Sequence, residues 1–200
     1  MTMVSILSST DYGLFSSING LAGHSAALDM IMVGNAKYLP IVFALVLVAL
    51  WLTWKPQNQR GAFLAGASAL IALGVGQLVG HALPRPRPYL AHSVNLLISR
   101  SADTSFPSDH ATLGFAVAVM IWQHNRRVGA WLLILALILA FSRVFVGAHY
   151  PSDVLGGAIL GALTSLLIGA LGRGALARRA LDRSFGFLAR WHLAAQSVPQ

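Results

Sequence analysis

The sequence predicts an all-α fold, a polytopic membrane helix bundle with about five transmembrane helices plus an N-terminal interfacial helix or sixth span. Three observations carry that expectation. Of 200 residues, 56% are hydrophobic and only 10% are charged, and the mean hydropathy of +0.68 excludes a water-soluble balance. The apolar residues fall in long uncharged runs, and a helix needs roughly 20 such residues to cross the hydrocarbon core. Lys, Arg, Trp or Tyr flank the runs, as residues anchored at a headgroup boundary do. The net charge of +8 suits an anionic lipid surface better than a nucleic-acid module, so membrane lipids are expected partners, and neither nucleic acid nor an obligate protein partner is indicated. With no cysteine there is no disulfide, thiolate nucleophile or thiolate metal site.

Taken in order, residues 1–36 mix Phe15, Ile18, Leu21, Leu28 and Ile31 with Ser, Gly and Asn, and read as an interfacial helix or half-span. No basic region precedes the first apolar residues, so a cleaved signal peptide is not expected. A helical core over 37–172 follows, with spans at 38–54, 61–83, about 107–123, 128 to about 146, and 151–172. From 173 to 200, Arg173, Arg178, Arg179, Arg183 and Arg190 alternate with Leu, Phe and Trp, the composition of a basic tail lying on an anionic cytoplasmic leaflet. The whole chain, 1–200, reads as one integral membrane domain.

Lys55 and Arg60, Arg126 and Arg127, and the five tail arginines fall on one side of the membrane, nine of the fourteen basic residues. That side is expected to be cytoplasmic. Arg85, Arg87, Arg100, Arg143 and Lys37 fall opposite, against the tendency, and call for a local reason. Gly76 with Gly80, and Gly157 with Gly161, have the spacing that lets transmembrane helices approach closely.

Three short segments share the outer side: 83–89 (LPRPRPY), 105–110 (SFPSDH), and Ser142-Arg143 with His149 and Asp153. Arginine offers a planar fork of donors matched to phosphate oxygens, and the prolines around Arg85 and Arg87 stiffen the backbone that would present them. An anionic-lipid anchor is the alternative for that segment. Pro107 and Ser108 suit a helix start, where outward amides bind an oxyanion, with His110 within reach. Asp153 comes one turn after His149. It either bonds the ring, fixing the tautomer and leaving the other nitrogen free as nucleophile or base, or bonds backbone amides as half of a capping box. Two histidines and two aspartates also suggest a metal. Several arginines in one site oppose a divalent cation, so neither metal nor cofactor is expected.

These residues resemble the signature of the type 2 phosphatidic acid phosphatase superfamily: Lys and Arg-Pro with six residues between them, then Pro-Ser-Gly-His, then Ser-Arg with five residues before His and three before Asp. Ser142-Arg143, His149 and Asp153 match the third part at every spacing, and Pro107-Ser108-Asp109-His110 matches the second with Asp109 in the glycine position. The wording SFPSDHAT is most similar to the bacitracin-resistance branch of undecaprenyl-diphosphate phosphatases. One departure stands in the first part. With Arg87-Pro88 as its Arg-Pro, Gly80 occupies the lysine position, with His81 beside it. Either His81 or Arg85 supplies the missing cation, or the phosphate is held with one contact fewer. Asp109 either orients a histidine or discriminates among headgroups.

The resemblance implies a metal-independent hydrolase of the outer face of a bacterial inner membrane, acting on a polyprenyl diphosphate and recycling the cell-wall carrier lipid. It implies His149 as nucleophile, Asp153 as the acid behind it and His110 as proton donor, with Arg87, Arg143 and Ser108 on the phosphoryl oxygens. The same chemistry on phosphatidylglycerol phosphate or phosphatidic acid is one alternative; a non-catalytic lipid-phosphate binding or transport protein is another.

Overall fold

Long apolar stretches satisfy their backbone polar groups internally only as helices, and the computed structural model, which describes residues 3–101 and 103–173, is built from helices throughout. In chain order they are α1 (Met3–Asn19), α2 (Ala26–Trp51), α3 (Pro56–Ala82), the single turn α4 (Pro88–Ala91), α5 (Asp109–His124), α6 (Arg126–Phe145) and α7 (Pro151–Gly172). Four of them, α2, α3, α6 and α7, are long and apolar enough to cross a membrane, so the protein is a multi-pass membrane protein.

At 16 residues α5 is shorter, about 24 Å at 1.5 Å per residue. It packs against α7, α6 and α3, and its inner positions are small: Ala111, Thr112, Gly114, Ala116 and Ala118. Gly157 and Gly161 of α7 lie directly on the Ser108 and Thr112 carbonyls of α5, where a Cβ would collide. The glycine spacing therefore sets how closely α7 approaches the helix that carries the 105–110 segment. Leu39, Phe43, Leu64, Ala65, Val117, Met120, Ile121, Leu132 and Leu139 fill the middle of the bundle between α2, α3, α5 and α6.

Several boundaries differ from the sequence reading. The first span starts at Ala26, not near residue 38, because Ser25 caps it by accepting the Leu28 N–H and Asp29 stands in its first turn. Lys37 consequently lies inside α2 rather than in an outer loop. The remaining N-terminal residues form a separate helix, α1, docked on α6 and α7. Phe15 is buried there against Tyr150, and Tyr12 stacks on His92 at 3.9 Å between ring centroids. The Asn19 side chain donates to the carbonyls of Asn95 and Phe145, pinning the end of α1 to the segment after α4 and to α6. The expected third span begins at Asp109, with Pro107 and Ser108 before it.

At the basic end, Arg60 donates to the Gly172 carbonyl at 2.6 Å, Arg173 to Gln123, and Gln57 to the His124 carbonyl. The α2–α3 and α5–α6 connections and the end of α7 thus share one end of the bundle. The basic tail expected beyond Arg173 lies outside the described residues.

Candidate active site

The opposite end is built by the α6–α7 turn and the segment 84–108. After Arg143, the N–H groups of Ala148 and His149 both donate to its carbonyl. Gly147 makes the reversal at φ +82°, a conformation that L side chains rarely adopt. Pro151 then starts α7 and Tyr150 caps it, its N–H donating to Asp153 Oδ2 at 2.9 Å. Arg143, His149 and Asp153 are therefore fixed within one tight reversal. The α5 start joins them through the Ser108 N–H, which donates to the Asp153 carbonyl at 3.0 Å.

His149 is 2% exposed. Its Nδ1 faces the Ser105 carbonyl at 2.8 Å. A carbonyl only accepts, so Nδ1 carries the proton and Nε2 the lone pair. Arg87 Nη1 donates to that lone pair at 3.2 Å and also to the Ala148 carbonyl. Arg87 is itself held by Asp103, at 2.9 Å through Nη2. Burial first, then the positive charges of Arg87 and Arg143, push the His149 imidazole well below its ordinary value. It is a neutral base facing a guanidinium. Burial works to raise the Asp103 carboxyl, but the Ser101 hydroxyl and Arg87 outweigh it and hold the group below its usual range.

Asp153 does not bond the ring: its Oδ2 lies 3.9 Å from Nδ1. Besides the Tyr150 N–H, the carboxylate accepts from the Ser105 hydroxyl at 2.5 Å and from Arg85 at 2.7 Å. The capping-box alternative thus describes its local bond, and Ser105 connects it to the histidine.

Arg85 is engaged by side chains of α1 and α7. One arm donates to Ser152 and Asp153, the other to Asp11 of α1 at 2.7 Å, and the guanidinium stacks 4.0 Å from the Tyr150 ring centroid. Asp11 also accepts from the Ser152 N–H and hydroxyl at the first turn of α7, where a negative charge is favoured. His81 bonds the Gln77 carbonyl one turn back on its own helix. Neither residue fills the lysine vacancy at Gly80. A Cβ there would sit 2.7 Å from Thr104 Oγ1 and 3.0 Å from the Phe106 carbonyl, because the strap leading to Ser105 crosses α3 at that point. Asp109 turns toward α3 as well, accepting from Gln77 at 3.0 and 3.2 Å, and among the described residues it is bonded to no histidine.

His110 and Arg143 open onto a cavity of about 780 Å³, whose wall is completed by Val33, Ala36 and Lys37 of α2 and by Leu96, Leu97, Ile98 and Ser99. Among the described residues, Ser108 Oγ and Arg143 Nε are buried without a hydrogen-bond partner, a costly state that a bound oxyanion would relieve. The arrangement offers one lone-pair nitrogen, a second imidazole, two guanidinium groups, an unpaired hydroxyl and a helix start. Asp11, Ser105 and Lys37 had no role in the sequence reading. Asp11 lies far away in sequence, Ser105 acts through its backbone carbonyl as well as its hydroxyl, and Lys37 reads as a loop residue.

A profile of the PAP2 superfamily matches residues 61–173. The chain is 38% identical to the undecaprenyl-diphosphatase BcrC of Bacillus subtilis over 157 residues, 78% of this chain and 81% of that protein. It is 31% identical to the undecaprenyl-diphosphatase of Sulfolobus acidocaldarius, over 77% of this chain and 74% of the relative. Among solved structures it is similar to LpxE of Aquifex aeolicus, with a TM-score of 0.64 at 25% identity, covering 78% of this chain and 93% of that one.

Proposed function

The chain belongs to the PAP2 superfamily, and on that premise we propose that it is a membrane phosphatase converting undecaprenyl diphosphate to the monophosphate through a phosphohistidine, without a metal. The observation that carries the reading is the state of His149: proton fixed on Nδ1 by the Ser105 carbonyl, lone pair on Nε2 beside Arg87.

His149 Nε2 attacks the terminal phosphorus. The ring becomes cationic, and Asp153, 3.9 Å from Nδ1, stabilises that charge. Arg87, Arg143 and Ser108 take the equatorial oxygens, where charge accumulates in a loose transition state. These cations supply the neutralisation that magnesium gives in other phosphoryl-transfer sites. His110 protonates the leaving oxygen where that oxygen requires it, then activates the water that cleaves the phosphorus–nitrogen bond. Val33, Ala36, Leu96, Leu97 and Ile98, the apolar part of the cavity wall, take the first isoprene units. The clustering of Lys55, Arg60, Arg126, Arg127 and Arg173 at the other end supports a cytoplasmic assignment there, so the site faces outward and the whole chain works as one unit.

The test is phosphate release by protein purified in detergent with EDTA present. Release from farnesyl diphosphate is expected, with none from His149→Ala, and inhibition by EDTA would overturn metal independence. Initial rates on farnesyl diphosphate, phosphatidic acid and phosphatidylglycerol phosphate decide the substrate. The diphosphate is expected to be fastest, and preference for a glycerolipid would replace it as the assigned substrate.

A further inference from the structure

We propose that Lys37 on α2 binds the second phosphate of the diphosphate, the one that stays on the lipid, and thereby selects diphosphates over monophosphates. The inference rests on the diphosphatase reading above. Lys37 stands about three turns, or about 16 Å, from the start of α2, where the helix passes from a stretch carrying Asp29 and Asn35 into a wholly apolar run, and its ammonium lies 5.2 Å from the Tyr38 ring centroid. An ammonium there is unfavourable unless it faces a polar cavity, and such residues mark substrate paths. Lys37 lies on the wall of the cavity onto which His110 and Arg143 open, and that wall carries the charges of Lys37 and Arg143 and no carboxylate.

Two other cations of this end are held in ion pairs, and Arg100 lies 5.9 Å from the Tyr89 ring centroid. Arg85 is bound to Asp11 and Asp153, and Arg87 to Asp103 and His149. The lysine position of the family motif is Gly80, whose surroundings are filled by Thr104 and Phe106. A diphosphate brings more negative charge than a monophosphate, and its second phosphate needs a partner beyond those around the reacting phosphorus. Lys37 meets that need from a different helix. Val33, Ala36, Leu96, Leu97 and Ile98 continue the same wall with apolar surface, suited to the chain next to the headgroup.

In the reaction the bond from the terminal phosphorus to the bridging oxygen breaks while the bond to His149 Nε2 forms. The electron pair passes to the bridging oxygen, which becomes a terminal oxygen of the lipid monophosphate. Lys37 stays protonated and compensates that charge. A monoester has no second phosphate for it to hold.

The experiment measures kcat and KM of the full-length wild type, Lys37→Gln and Lys37→Arg in detergent on farnesyl diphosphate and farnesyl monophosphate. Loss of a charge-assisted hydrogen bond predicts a drop of about 10- to 100-fold in kcat/KM on the diphosphate for Lys37→Gln. The diphosphate-to-monophosphate ratio should fall at least about tenfold, and Lys37→Arg should recover most of it. A ratio that does not move, whether both rates fall together or neither falls, overturns the assignment of Lys37 while leaving the diphosphatase reading intact. A wild type that hydrolyses the monophosphate but not the diphosphate overturns both.

Discussion

His149 Nδ1 lies 2.8 Å from the main-chain carbonyl of Ser105 and 3.9 Å from the Asp153 carboxylate. The tautomer is thus set by backbone, and Asp153 acts on the ring through space and through its bond to the Ser105 hydroxyl. Asp153→Asn keeps the shape and removes the charge. At 4 Å a unit charge pair is worth about 4 kcal/mol at an effective dielectric constant of 20, so kcat should fall by up to about a thousandfold, and less than in His149→Ala. Rates on farnesyl diphosphate check this, and an unaltered kcat would remove Asp153 from the transition state.

The buried, neutral state of His149 fixes the sign of a pH effect on stability. Its folded-state pKa is depressed well below 6.5 by burial, Arg87 and Arg143, so below about pH 6.5 the unfolded chain takes up a proton that the folded chain refuses. Its contribution is fully present above that pH and is lost as pH falls toward the folded pKa, by at most about 1.4 kcal/mol per unit. The thermal midpoint in detergent should fall more steeply between pH 6.5 and 5 in the wild type than in His149→Gln. Equal slopes would mean that the imidazole is solvated.

The helical layout and the meeting of three polar segments at one end were legible in the sequence because hydrophobic runs and motif spacing are local properties. The start of α2 was not. Gly34, Asn35 and Lys37 looked too polar for a span, yet that stretch of helix borders the site cavity and the loop around Leu97. The fate of Arg85 was illegible for another reason. Its partners, Asp11 and Asp153, are 74 and 68 residues away, one brought by the docking of α1 and the other by the start of α7.

The two ion pairs of Arg85 predict a positioning role for it. Removing it leaves Asp153, fully buried, without its counter-ion, and breaking a buried pair costs about 3–5 kcal/mol. Arg85→Ala should lower the unfolding temperature and kcat with KM nearly unchanged, whereas Arg87→Ala and Arg143→Ala should weaken substrate binding. A rise in KM as the main effect of Arg85→Ala would return this residue to the phosphate clamp.

Restoring the family lysine should fail. At Gly80 even a Cβ meets Thr104 and the Phe106 carbonyl, and this strap positions Ser105 for both His149 and Asp153. Gly80→Lys is therefore expected to destabilise by about 1–3 kcal/mol, as overpacking does, and to lower activity. An increase in activity with unchanged stability would show that the strap yields.

The role of His110 depends on the leaving group. A lipid alkoxide needs a proton to depart, whereas a lipid phosphate leaves as a stable anion, and general acid catalysis is worth about 10²- to 10⁴-fold where it is needed. His110→Gln should therefore lose far more of the first step on phosphatidic acid than on farnesyl diphosphate. Both substrates require water activation in the second step, so the variant should stall as a phosphohistidine when given the diphosphate. Quenching the reaction with alkali and measuring acid-labile, alkali-stable phosphate on the protein reads this directly. Equal loss on both substrates with no accumulated intermediate would place His110 outside the proton path.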